Sequence, residues 1–162
     1  HEKVRRYMKN KYIKIEKVKS ILMYDGLIRW GVHEGYRVYP IQYKDHKYTV
    51  EIRVDITSMI DEIRRHGDDI LPDNIDINVT IYNYSDNIIF RNRGKAVFKT
   101  KIKPTEIEGI DICNQTEEEF YATYPIIIEK IFELYKKDFD ENMKMKARIE
   151  EAKKWDGVIN LP

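Results

Sequence analysis

The sequence predicts an α+β domain. It has a mainly antiparallel sheet of about six to seven short strands, one short central helix and one long C-terminal helix. Three patterns carry this expectation. Ile75, Ile77, Val79 and Ile81 alternate with Asp76, Asn78, Thr80 and Tyr82, the period of a strand with one buried face. Asp25-Gly26 separates the apolar runs 21–24 and 27–32, a strong hairpin signal because Gly accepts the positive φ of a type I′ turn. Apolar residues recur at helical spacing in Ile56, Met59, Ile60 and Ile63, and again in Tyr124, Ile127, Ile128, Ile131 and Tyr135.

The remaining elements follow in chain order. Ile13 and Ile15 alternate with Lys14 and Glu16, placing a strand over 12–18. Strands over 36–44 and 47–54 form a second hairpin around Asp45-His46, and Pro40 makes the first of them an edge strand or a bulged one. In the second, Thr49, Glu51 and Arg53 face away from Tyr48, Val50, Ile52 and Val54 and are expected to be solvated. Asp55 or Thr57 caps the short helix and Gly67 stops it. Residues 88–90 read as a short strand, 92–94 as a turn and 96–102 as a further strand. Thr116 with Glu119 resembles a capping box, and Pro125 fits the first turn of the long helix. The expected organisation is a basic segment 1–11, a single domain 12–137, and a charged helix extension with an apolar tail, 138–162.

Composition excludes several classes. The chain has 162 residues, 42% hydrophobic and 35% charged, with only 7 Gly and 5 Pro, so a low-complexity or collagen-like chain is excluded. No apolar run approaches the ~18 residues of a membrane span, and no membrane contact is expected. The single cysteine, Cys113, excludes a disulfide framework and, with the charged opening residues, points to the cytoplasm. Net charge is +1, yet the signs are segregated. Residues 1–19 carry eight basic and two acidic side chains, 91–103 six basic and no acidic, and 55–76 seven acidic and two basic. Such segregation can organise a partner surface.

Catalytic signatures are sparse. The four histidines are scattered, so no metal is expected, and no glycine-rich loop suggests a nucleotide cofactor. Cys113 has no nearby His, so no catalytic residue is assigned and no cofactor is expected. Asp45 with Glu51 and Arg53 loosely resembles the acidic and basic set of metal-dependent nucleases, but Arg stays protonated where those sites use Lys.

The first functional expectation is therefore a non-catalytic accessory factor, of the assembly or inhibitory kind carried by phages and mobile elements. It would act through protein–protein contacts or self-association along Phe139, Met143, Met145, Ile149 and Trp155. The alternative is a single-stranded nucleic-acid-binding module, with Tyr82, Tyr84, Arg91, Arg93, Lys95, Lys99 and Lys101 supplying stacking rings and cations. A metal-dependent nuclease ranks third.

Overall fold

The structure, a computed structural model, describes residues 13–18, 22–24, 27–29, 35–112 and 115–162. Five strands form one antiparallel sheet: β1 (Lys14–Val18), β4 (Gly35–Tyr43), β5 (His46–Val54), β6 (Ile77–Tyr84) and β7 (Arg93–Ile102), in that spatial order. Between β1 and β4 in the chain, β2 (Leu22–Tyr24) and β3 (Leu27–Arg29) pair antiparallel as a separate ribbon, with Met23 opposite Ile28. Asp25-Gly26 of that hairpin lies outside the described residues. The sheet thus has five strands rather than six or seven.

Helix α1 (Ile56–His66) starts at Asp55, whose side chain accepts from the Thr57 N–H at 3.0 Å. It ends at Gly67, whose φ of 58° suits a residue without Cβ. A single 3₁₀ turn (Pro72–Asn74) precedes β6. Helix α2 (Glu117–Lys154) runs for 38 residues. Its Thr116 Oγ accepts from the Glu119 N–H at 3.2 Å, so the helix begins at the capping sequence. Pro125 therefore stands inside the helix rather than in its first turn. The chain forms two compact units, 1–124 and 125–162.

Register explains the core of the first unit. Val38 lies opposite Val50, Val50 opposite Ile81, and Ile81 opposite Phe98; Ile52 faces Val79 and Val54 faces Ile77. One face of the sheet is thus aliphatic, and Val38, Val50, Ile52, Ile77, Val79 and Ile81 are all buried. Met59 and Ile63 of α1, Ile75 and Phe120 join this core. The Phe120 ring stacks on Tyr36, with centroids 3.8 Å apart and 7° between planes.

One sequence expectation is met here and another needs correction. Pro40 marks a bulge, between Val38 and Ile41, the second of the two roles expected of it, and β4 is an interior strand paired on both sides. Residues 88–90 form no strand; they are the tip of the β6–β7 connection. Two successive residues there, Arg91 and Asn92, hold positive φ values of 54° and 59°.

Candidate functional site

The second face of the sheet carries charge. Glu16 on β1 is paired with Arg37 on β4, Arg37 with Glu51 on β5, Glu51 with Thr80 on β6, and Thr80 with Lys99 on β7. These five residues cross the sheet in one row because a side-chain period of two puts every cross-strand partner on the same face.

The centre of the row is a buried ionic network. Arg37 is 1% exposed and donates from Nε and Nη2 to Glu51 Oε2 at 3.2 and 3.0 Å. Its Nη1 donates to Glu16 Oε2 at 3.0 Å. Arg93 Nη1 donates to Glu51 Oε2 at 3.0 Å, and Arg53 Nε lies 2.6 Å from Glu51 Oε1 as an ion pair. Tyr39 completes the set by donating its hydroxyl to Glu16 Oε1 at 2.6 Å. Burial alone would raise the Glu16 carboxyl pKa, but the Tyr39 hydroxyl and Arg37 outweigh it and hold the group below its ordinary value. Burial, reinforced by Glu16, raises the Tyr39 hydroxyl.

Gly35 makes room for this arrangement. A Cβ there would meet the Ile52 carbonyl oxygen and stand 2.7 Å from Arg53 Cγ. The bare backbone lets the Arg53 side chain lie against β4 while it pairs with Glu51.

Two open clefts flank the network. One, of about 370 Å³, is lined by Glu51, Arg53, Asp55, Ile56, Asn78 and Thr80, with Val54. The other, of about 430 Å³, is lined by Tyr82, Lys99 and Lys101 with Asn78 and Thr80. The Arg93 guanidinium lies 5.0 Å from the centre of the Tyr82 ring, a cation–π contact.

The expected nucleic-acid residues are thus partly brought together. Tyr82, Lys99 and Lys101 share the polar face, while Phe98 points to the aliphatic side opposite Ile81. Tyr84 lies toward the end of the sheet with its ring 6.4 Å from that of Tyr39. The basic and acidic segments meet each other: Lys101 pairs with Asp55 at 3.1 Å and Lys103 with Asp76 at 2.8 Å. Arg93 is engaged by Glu51. Lys95 and Lys99 are exposed on β7, and Arg91 is exposed in the connection before it.

Thr49 and Glu51 are buried, not solvated as the alternation suggested. The Thr49 hydroxyl donates to the Asn92 carbonyl at 2.6 Å, tying the β6–β7 connection down onto β5. Sequence reasoning missed Arg37, because nothing in the triplet Tyr36-Arg37-Val38 shows that Glu16 and Glu51 will flank it. Asp45 sits in the β4–β5 turn, six residues from Glu51, or about 20 Å along an extended strand. The two carboxylates do not share a site, and Glu51 is already engaged by arginines. Among the described residues no group of three or more His, Cys, Asp or Glu could hold a metal ion. Cys113 lies outside the described residues.

On α2, Phe139, Met143, Met145 and Ile149 are 46–52% exposed, and Trp155, the first residue beyond the helix, is 63% exposed. Every residue from 141 to 162 is exposed, including Val158, Ile159 and Leu161 of the tail. No helix among the described residues is long and apolar enough to cross a membrane.

The chain matches no protein-family model, no curated protein and no solved structure.

Proposed function

We propose that the protein is a non-catalytic accessory factor that binds another protein chain through the second half of α2 and the tail beyond it. The observation that supports this reading is the run of exposed apolar side chains at Phe139, Met143, Met145, Ile149 and Trp155. Apolar groups of this size left half exposed along one helix and just past its end gain free energy when a partner covers them. Trp, Phe and Met are also the side chains enriched at the centres of protein interfaces.

The test is a photo-reactive residue placed at Met143, at Trp155 and, as a control, at Lys144, on the side of the helix turned away from Phe139, Met143, Met145 and Ile149. Covalent adducts to a protein from the first two positions and none from the third are expected, whether the captured chain is a second copy or a different protein. Absence of adducts, or equal adducts from Lys144, overturns the reading. Light scattering on the full chain and on a chain ending at Lys137 separates the two kinds of partner. A mass above 19.5 kDa that is lost on truncation assigns the partner as a second copy.

A second reading, single-stranded nucleic acid on the polar sheet face, is favoured by the cleft that brings Tyr82 together with Lys99 and Lys101. It is the weaker one, because Arg93 and Lys101 are already ion-paired. Its signature is binding of a labelled single strand that weakens steeply with salt and is lost on Lys99→Glu with Lys95→Glu. Binding that ignores either change sinks it.

A further inference from the structure

The β6–β7 connection presents Ile88, Ile89 and Phe90 to solvent at 81, 86 and 61% exposure. Three consecutive large apolar side chains at a loop tip gain little for folding, since each keeps well over half of its surface in water. The tip is nonetheless built. Asn87 Oδ1 accepts from the Ile89 N–H at 3.0 Å, and the Arg91 N–H donates to the Ile88 carbonyl at 2.9 Å. The Asn92 N–H closes the loop onto the Asn87 carbonyl at 3.0 Å, and Thr49 anchors the Asn92 carbonyl to β5. Arg91 keeps a φ of 54° there, a conformation of modest cost that surrounding contacts must hold.

The charges around the tip have one dominant sign. Register brings the start of β1, the β4–β5 turn and the β6–β7 connection to the same end of the sheet, with Lys14 opposite Tyr39 and Tyr84 opposite Arg93. Lys14, Lys44, Lys47, Arg91 and Lys95 are exposed there, against Asp45 and Asp86. A cleft of about 530 Å³ opens beside the tip, with Lys14, Lys47, Tyr84, Asp86 and Ile88 among its walls. The carboxylates of α1 and of the loop after it lie at the other end, where Asp55 and Asp76 pair with β7.

We infer that this end of the sheet docks on an anionic lipid surface. Ile88, Ile89 and Phe90 enter the boundary between headgroups and acyl chains, and the surrounding cations meet the headgroup phosphates. This is contact with one leaflet and needs no span, so it departs from the expectation of no membrane contact drawn from the lack of a long apolar run. Two signals, a shallow apolar insertion and a basic surround, are what stable peripheral binding requires. A protein pocket would also accept the three apolar residues. The ring of cations on several elements favours a broad, uniformly negative plane over a single pocket.

The full chain is floated with vesicles of phosphatidylcholine alone and with vesicles containing about one third phosphatidylserine. Binding is expected to the anionic vesicles only. It should fall at least about tenfold in Ile89→Asp with Phe90→Asp and in Arg91→Glu with Lys95→Glu, and it should weaken with salt. These positions are exposed, so unchanged far-UV dichroism and melting are expected and show that folding is intact. Failure to bind either vesicle overturns the inference. So does anionic binding that the tip substitutions leave unchanged, or a protein complex or single-strand complex that those substitutions abolish. The helix truncation after Lys137 leaves vesicle binding in place, which keeps this inference separate from the reading of α2.

Discussion

Replacing Glu51 by Gln tests whether the buried ionic network holds the sheet together. The substitution keeps the side-chain shape and removes the negative charge that Arg37, Arg53 and Arg93 share. Arg37 is 1% exposed and cannot turn to water, although Glu16 still holds its Nη1. Removing one partner from a buried pair costs about 3–5 kcal/mol. The retained Glu16 contact places the expected loss near the lower end, about 3 kcal/mol. For a unit of this size that corresponds to a fall in Tm of about 10 °C. Calorimetry and urea unfolding of the full chain measure it. Arg53→Gln is the internal control, because Arg53 is over a third exposed and its loss should cost under about 1 kcal/mol. Glu51→Leu combined with Arg37→Met should recover most of the deficit, since a well-packed apolar pair can replace a buried ion pair. A Glu51→Gln melt within about 2 °C of the unmodified chain refutes the reasoning. An Arg53→Gln loss as large as that of Glu51→Gln refutes it too, because the cost would then not follow burial.

Stability is expected to decline on acidification through Glu16, whose folded pKa lies below its ordinary value of 4.5. The unfolded chain then takes up the proton first, so the contribution is complete above about pH 5 and is lost as pH falls through the folded value. Urea midpoints measured from pH 6 to pH 3 should show this, and Glu16→Gln should flatten the slope in that window. Gly35→Ala should destabilise by about 1–3 kcal/mol, because the new Cβ drives into the Ile52 carbonyl and Arg53 Cγ. Thermal unfolding reads it, and a neutral result would show that β4 and β5 can separate without cost.

Local chemistry made much of the backbone legible. The alternation in β6, the Asp55 cap, the Gly67 stop and the Thr116 cap each depend on neighbours within a few residues. The apparent strand at 88–90 failed for an equally local reason. Ile-Ile-Phe has strong strand propensity, but propensity registers fit to a half-buried pleat, and here Asn87 turns the chain at a tip with no partner strand. The exposure of Phe139, Met143 and Trp155 was suggested by the thin apolar stripe around them.

By itself, then, the sequence determined most of the strands, the capping residues of both helices and which side chains share a face of their own strand. Those properties depend on backbone geometry over a few residues. The tertiary structure alone decided who meets whom across strands. The register set Arg37 between Glu16 and Glu51, brought Lys101 and Lys103 of the basic segment onto Asp55 and Asp76 of the acidic one, and gathered the cations around Ile88–Phe90 at one end of the sheet. Pairing at long sequence separation is set by the total burial of the aliphatic face, a sum over all five strands that no single segment contains.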